Sequence, residues 1–213
     1  MHIPDGFLND PKVWISANVI SAGIVAYAAK KVNKQLGEKQ IPMMGVMGAF
    51  VFAAQMLNFP IAAGTSGHFL GGALTTVLLG PWAAILVMTA NFIVQCLLFQ
   101  DGGLTALGAN IFNMGIIGCF ATHFVYNGIR NIIAGNKGIL IGAAVSAWCS
   151  VMLAALMTSL EIGISGTIAL NLILPAMLGV HALIGIGEAL ITTIVISYLL
   201  KVREDLVLEI PKM

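Results

Sequence analysis

Apolar stretches of roughly membrane-spanning length follow one another along the chain, separated by short polar or glycine-rich connections. About 20 apolar residues cross the hydrocarbon core of a bilayer. By this measure the pattern predicts spans at 13–29, 43–59, 82–99, about 111–129, about 138–160 and about 180–200. A shorter run, 68–79, counts as a crossing only if protein surrounds its beginning. The sequence therefore predicts an all-α integral membrane protein with about seven transmembrane helices.

The last apolar stretch, 169–200, is too long for one straight span and contains Pro175 and Gly179. We expect it to divide there, because a proline inside a helix removes a hydrogen bond and kinks it. No internal repeat divides the chain, so residues 1–213 are predicted to form one transmembrane domain. Residues 1–12 would be a separate N-terminal segment and 201–213 a short cytoplasmic tail.

Composition supports a membrane location. The chain is 59% hydrophobic and 9% charged, whereas about a quarter of the residues in soluble proteins are charged. The net charge of +1 and the lack of a basic run argue against nucleic-acid binding. The three cysteines are Cys96, Cys119 and Cys149, and none forms a C-x-x-C pair. We predict that they pack as small apolar residues.

The basic residues give an orientation. With seven crossings and the N-terminus outside, Lys12 is the outer basic residue. The inner loops and tail would hold Lys30, Lys31, Lys34, Lys39, Arg130, Lys137, Lys201, Arg203 and Lys212. Because basic residues concentrate on the cytoplasmic side, we predict a multi-pass protein of the cell membrane with its N-terminus outside and its C-terminus inside.

The first two residues have the chemistry of a metal chelator. The terminal amine of Met1, the amide nitrogen of His2 and the imidazole of His2 can close fused five- and six-membered rings around one divalent ion. The bulky second residue should leave Met1 in place. A planar set of four nitrogens suits Ni(II) or Cu(II). The alternative is a polar residue in a loose chain end.

His68 is a candidate for the fourth nitrogen. In the predicted topology it lies on the same outer side as His2, and it follows a run of small residues, 64–67, that lets another backbone approach closely. A chain end reaching this place would bring the four nitrogens together. The alternative for His68 is an interfacial or hydrogen-bonded histidine.

The remaining polar candidates have weaker signals. His123 is predicted to form hydrogen bonds between helices, and His181 to support the site from the outer start of the last span. Glu188 lies inside that span, where burying a carboxylate costs free energy. We therefore expect Glu188 to have a functional role. Asp101 and Glu161 lie near outer helix ends and are interpreted as solvated vestibule charges rather than ligands.

Six ordered blocks between residue 1 and about residue 192 resemble the cobalt/nickel substrate-binding subunits of energy-coupling-factor transporters. They are Met1-His2-Ile3-Pro4-Asp5-Gly6, Asn58-Phe59-Pro60, Gly64-Thr65-Ser66-Gly67-His68, Gly80-Pro81-Trp82, Asp101-Gly102-Gly103 with Leu107-Gly108-Ala109-Asn110, and His181 through Gly187-Glu188-Ala189. The family's metal ligands match Met1, His2 and His68 here. Supporting roles carry over by motif position alone to Asp101, Asn110, His181 and Glu188.

The resemblance implies an importer that captures Ni(II) or Co(II) outside the cell. Its expected partners are a membrane coupling subunit, two cytosolic ATPases and, in some members, a small accessory membrane subunit. The sequence has no nucleotide-binding motif of its own, so we predict a transporter subunit that is not an enzyme. Nickel is favoured because a deprotonated amide in a planar site prefers Ni(II).

Alternatives from other classes remain at this point. A self-sufficient secondary transporter or channel would need charged residues through the whole bilayer. A metalloprotease would need H-E-x-x-H spacing, which the sequence lacks. A structural scaffold would leave the histidine pair unexplained. Ala22 and Ala26 form a small-xxx-small pair on the first helix that could contact the coupling subunit. Packing within the chain is the alternative for these two alanines.

Overall fold

The computed structural model describes residues 1–35, 40–61 and 65–208. In chain order the elements are α1 (Pro11–Gln35), α2 (Gln40–Gln55), β1 (Phe59–Ile61), β2 (Thr65–Gly67), α3 (Gly72–Leu79), α4 (Pro81–Phe99), α5 (Leu107–Asn110), a π-helical segment (Ile111–Ile117), α6 (Gly118–Ile132), α7 (Gly135–Ile164), α8 (Leu170–Val202) and α9 (Asp205–Leu208). The two strands form a small antiparallel hairpin.

Five helical stretches are long and apolar enough to cross a membrane: α1, α4, the continuous stretch Leu107–Ile132, α7 and α8. The shorter α2 is also apolar. Apolar side chains cover much of the outer surface, and well-exposed examples are Val19, Leu57, Leu98, Ile132, Leu183 and Leu190. An exterior of this kind fits lipid rather than water. The prediction of an all-α membrane protein is confirmed, while the number of crossings and their orientation stay predictions.

Most helices extend beyond the predicted apolar spans, because a helix continues into the interfacial region through polar residues that hydropathy does not count. The exception is the end of α2, which stops at Gln55, before the predicted end at 59. The division of the last stretch at Pro175 and Gly179 is wrong, since α8 is one helix from Leu170 to Val202. Pro175 lies in its second turn, so it removes only one helical hydrogen bond, to the carbonyl of Asn171. The fold accommodates that loss near the start of a long helix.

The predicted short crossing at 68–79 is helical only from Gly72, and protein surrounds it as the prediction required. All residues of α3 are buried, and the helix packs against α4, α6 and α7. Eight residues span only about 12 Å as an α-helix, so residues 68–71 must continue the path in an irregular conformation. Such backbone is tolerated at membrane depth when protein encloses it.

The predicted outer connections lie at one end of the bundle. The N-terminal segment contacts the loop before α5, where Gly103 N–H donates to Ile3 O, and the loop after α7, where Ser165 accepts from Asp10 N–H. The strands β1 and β2 pair just before His68. Gly64, Lys39 and Lys212, which entered the motif and charge arguments, lie outside the described residues.

Candidate metal centre

The chain begins in the interior of the molecule. Met1 and Ile3 are fully buried and His2 is 3% exposed. The terminal segment ends at Asp10, whose carboxylate accepts from Lys12 N–H at the start of α1. A loose chain end, the alternative considered for His2, does not describe this segment.

An amide clamp fixes Ile3. The side chain of Asn110 accepts a hydrogen bond from Ile3 N–H at 2.8 Å and donates one to Ile3 O at 3.1 Å. Gly103 N–H donates to the same carbonyl at 2.8 Å. Because Ile3 directly follows His2, this clamp sets where the histidine can lie. Asn110 therefore holds the terminal segment through its backbone.

Asp5 makes a second anchor. Its carboxylate accepts hydrogen bonds from Leu104 N–H, Thr105 N–H and the Thr105 hydroxyl. The Thr105 hydrogen bonds lower the pKa of Asp5 below its usual value, so the carboxylate stays ionised. Farther along, the Thr167 hydroxyl donates to Phe7 O at 2.6 Å. Contacts at both loops keep the segment seated over the bundle.

The two candidate histidines meet inside this enclosure. The rings of His2 and His68 stack with centroids 4.6 Å apart and planes 20° from parallel, and Phe92 of α4 packs edge-on against His2 at 5.5 Å. His68 is 1% exposed. The structure thus brings together the two histidines that the sequence paired, although 66 positions separate them.

One nitrogen of His68 is available to a ligand. Its Nδ1 lies 2.8 Å from Phe69 O, and a carbonyl only accepts, so Nδ1 carries the proton and Nε2 holds the lone pair. Among the described residues, that Nε2 is buried without a hydrogen-bond partner, as are both ring nitrogens of His2, including the Nδ1 that a chelate would use. Leaving a buried polar atom unpaired costs about 1–3 kcal/mol. Nitrogens with free lone pairs in one enclosure have the chemistry of metal ligands.

Burial keeps these nitrogens unprotonated. Desolvation lowers the pKa of the Met1 amine to about 5, against the opposing attraction of Asp101. It also lowers the pKa of His2. Neutral amine and imidazole groups are the forms that bind metals.

Asp101 stands beside His2 rather than in an open vestibule. Its Oδ1 lies 2.9 Å from Nδ1 of His2. Asn58 donates to its other oxygen at 3.2 Å. Burial alone would raise the pKa of Asp101, but His2, the amine and Asn58 together lower it. A carboxylate therefore faces the nitrogen cluster.

His181 and Glu188 both come from α8 and are buried. Nδ1 of His181 lies 2.8 Å from Met177 O, one turn earlier, and its Nε2 has no hydrogen-bond partner among the residues that the structure describes. Glu188 accepts hydrogen bonds from Leu70 N–H and Gly71 N–H, immediately beyond His68. Both residues predicted to support the site thus lie near it, Glu188 through the backbone that carries His68.

Two sequence interpretations need correction. His123 lies 3.2 Å from the side chain of Asn127 in its own helix rather than bonding to another helix, because residues four apart share a helix face. Glu161 is not a solvated vestibule charge. It is only 9% exposed and accepts a 2.6 Å hydrogen bond from Asn113. Its helix continues to Ile164, so Glu161 lies almost one turn before the helix end.

Some residues that hold the site were not singled out from the sequence. Gln55 donates to Leu70 O at 2.7 Å, and Gln95 donates to Gln55. A side-chain amide inside an apolar span is a visible signal, because it needs a partner there. The identity of the partner is not visible, since these contacts join different helices.

Among the residues that the structure describes, no three His, Cys, Asp or Glu side chains converge as a metal site. The fold and this enclosure define a multi-pass membrane protein with a buried cluster of unprotonated nitrogens that includes its own amino terminus.

Comparison with known proteins gives the family. The model of the cobalt uptake substrate-specific transmembrane region matches residues 2–206, and the chain belongs to this family. One relative is the "Putative fused nickel transport protein NikMN" of Archaeoglobus fulgidus, with 41% sequence identity. The aligned region covers 97% of this chain and 68% of that protein. Another is the "Cobalt transport protein CbiM" of Acetoanaerobium sticklandii, with 30% sequence identity. The aligned region covers 96% of this chain and 86% of that protein.

A solved structure supports the same assignment. The crystal structure of a truncated transition metal transporter superposes with a TM-score of 0.89 at 36% identity, covering 94% of this chain and 99% of that one. The family predicted from the six sequence blocks is confirmed. The protein is a membrane protein of the cobalt and nickel uptake family, and its relatives are transport proteins rather than enzymes.

Proposed function

We propose that this chain is the substrate-binding membrane subunit of an energy-coupling-factor importer and that its cargo is a divalent transition metal. Four nitrogens bind the ion: the Met1 amine, the amide and imidazole of His2, and the imidazole of His68. The observation that carries the proposal is the burial of the terminal amine with His2 stacked on His68 at 4.6 Å.

The chelate explains the arrangement around His2. The six-membered ring of the chelate uses Nδ1 of His2, which lies 2.9 Å from Oδ1 of Asp101. The negative charge of Asp101 attracts the cation and offsets the cost of burying it. Nε2 of His68 completes the set, with its proton held on Nδ1 by Phe69 O. A planar set with a deprotonated amide favours Ni(II) over Co(II).

Import in this proposal is powered by partners. The sequence has no nucleotide-binding motif, so a membrane coupling subunit and two cytosolic ATPases, with a small accessory membrane subunit where present, would drive release inside. Ala22 and Ala26 are both exposed on α1, which favours contact with the coupling subunit over packing within the chain. A self-sufficient secondary transporter or channel would instead give metal flux in liposomes without ATPases.

The first test uses the chain end itself. One extra residue before Met1 converts the amine into an amide and needs space where Met1 is fully buried. We expect the metal content of the purified protein to fall from about one ion per chain to below about a tenth, because a chelate ring is lost. Elemental analysis and Ni(II) titration measure this.

Two controls accompany this test. An extra residue after Met213 should leave metal content unchanged, and removing the extra N-terminal residue by proteolysis should restore it. Thermal unfolding in detergent verifies that the extended protein is folded. A folded, extended protein with unchanged metal content would exclude the amine as a ligand and with it the proposed site.

A further inference from the structure

Glu188 is a buried carboxylate without a cationic partner. It is 1% exposed and lies near the middle of α8. In the part of the chain that the structure describes, the close contacts between basic and acidic side chains join His2 to Asp101 and Arg203 to Asp205, and Glu188 takes part in neither. An ionisable group at this depth is costly unless it is satisfied by other polar groups.

Main-chain N–H groups satisfy it. The two oxygens of Glu188 accept hydrogen bonds from Leu70 N–H at 2.6 Å and Gly71 N–H at 2.8 Å. Gly71 is the N-cap residue of α3, whose N–H group has no partner within the helix, and Leu70 directly precedes it. The positive end of the helix dipole also favours a carboxylate at this place. Glu188 therefore joins α8 to the start of α3.

The same short segment carries His68. Residues 68–71 are outside regular secondary structure, and Gly71 O accepts a hydrogen bond from Thr75 N–H of α3. Gln55 holds Leu70 O from the side of α2. Gly71 has a φ of +77°, and a Cβ there would lie 2.8 Å from Val51. The conformation between His68 and α3 thus depends on a few long-range contacts, and Glu188 makes two of them.

We propose that Glu188 is a positioning residue for the metal centre. Its carboxylate fixes Leu70 and Gly71, and thereby directs Nε2 of His68 toward the chelate formed by the chain end. This inference rests on the proposed function, since it assigns Glu188 a role in presenting one of the proposed ligands. Glu188 itself touches no metal.

A carboxylate suits this task better than an amide. Glu188 offers an acceptor to each of two N–H groups. Glutamine has nearly the same shape but one acceptor oxygen, and its NH₂ group would face an N–H donor. Glu188→Gln therefore breaks one of the two bonds without leaving a cavity. The segment that carries His68 should then lose its fixed path.

The experiment uses full-length protein with a native N-terminus in detergent. Ni(II) affinity is measured by calorimetric titration and the ligand set by the visible absorption of the bound ion. We expect Glu188→Gln to bind Ni(II) about 10–100-fold more weakly, the usual effect of removing a group that orients a ligand. Its absorption band should shift toward that of His68→Ala, because His68 no longer completes the planar set.

Glu161→Gln is the matched control. Glu161 is also a buried carboxylate in a membrane helix, but it accepts from the Asn113 side chain and does not contact the His68 segment. We expect this variant to keep the wild-type affinity and spectrum even where it lowers the unfolding temperature. A shift confined to Glu188→Gln supports positioning over a general loss of stability.

The outcomes separate this inference from the proposed function. If wild type binds no Ni(II), or if His68→Ala binds like wild type, the proposed function fails. If both behave as expected and Glu188→Gln keeps wild-type affinity and spectrum, the positioning role alone is wrong. Should Glu188→Gln not fold, Glu188→Asp decides: its shorter carboxylate should give an intermediate affinity and a shifted band, and wild-type values would overturn the role.

Discussion

At the scale of single residues, the surroundings of each histidine decide what its ring can bind. His68 has one nitrogen bound to Phe69 O and the other buried without a partner. His123 is half-buried and faces Asn127 of its own helix. Only the first arrangement presents a fixed lone pair to an enclosed space, so the two residues should differ sharply in their importance for metal binding.

Replacing His68 by alanine should therefore remove the tightly bound metal. Removing a group that only orients a ligand typically costs 10–100-fold in affinity, so losing a ligand should cost at least about 100-fold. Ni(II) titration of the purified variant measures this loss. His68→Phe keeps a ring against His2 without offering a nitrogen, and should bind as weakly as His68→Ala.

His123→Ala is the matched comparison and should retain the metal at wild-type affinity. A His68→Ala protein that kept its metal, or a His123→Ala protein that lost it, would contradict the assignment of His68 as the fourth nitrogen.

At the scale of elements, the N-terminal segment is the piece on which the site depends. It has no regular structure before α1, so its conformation comes from the loops that hold it. Ile3 is clamped by Asn110 and Gly103, and Asp5 by the residues that follow Gly103. The glycine is required because backbone meets backbone there: a Cβ on Gly103 would lie 2.3 Å from Asp5 N.

Gly103→Ala should consequently displace the terminal segment and weaken metal binding. Forcing a methyl group into a packed place costs about 1–3 kcal/mol, which corresponds to about 5–150-fold in affinity. Metal titration gives the affinity, and limited proteolysis near the N-terminus should become faster as the segment loosens.

Gly128 offers the control for this change. It lies in α6, and a Cβ there meets nothing within 4 Å. Gly128→Ala should bind metal like wild type. Equal affinities for the two alanine variants would show that the contact between Gly103 and Asp5 does not govern the site.

At the scale of the whole molecule, the proposed metal site and the proposed coupling surface lie on different parts of the protein. The site is enclosed by the N-terminal segment, the start of α3 and the loop before α5. Ala22 and Ala26 lie on an exposed face of α1 that also presents Val19. Small residues on such a face allow close helix packing in a membrane. The two functions should therefore be separable by mutation.

Ala22→Trp should leave Ni(II) affinity unchanged and prevent assembly with the coupling subunit, because the indole occupies the space that a partner helix would need. Co-purification of the subunits measures assembly, and metal uptake by cells measures transport. Leu183→Trp, at an exposed position of α8, should assemble normally. An Ala22→Trp variant that assembles and transports like wild type would remove α1 from the coupling interface.

The sequence by itself determined the membrane class, the approximate positions of the helices and the chelating potential of the first two residues. These properties are local: hydropathy is read over about 20 residues, and the chelate needs only neighbours in the chain. The six blocks also identified the family. Helix ends and the undivided α8 could not be read this way, because interfacial polar residues and a proline near a helix start are both compatible with helix.

The tertiary structure alone decided how the chain end is held and what Glu188 does. Asn110 reaches Ile3 across 107 positions, and Glu188 reaches Leu70 across 118. In each contact a side chain from a distant segment accepts a hydrogen bond from a main-chain N–H group. Several polar side chains in the sequence have the chemistry to accept such a bond. Which one does so depends on helix packing, and packing is what places the amine and His2 beside His68.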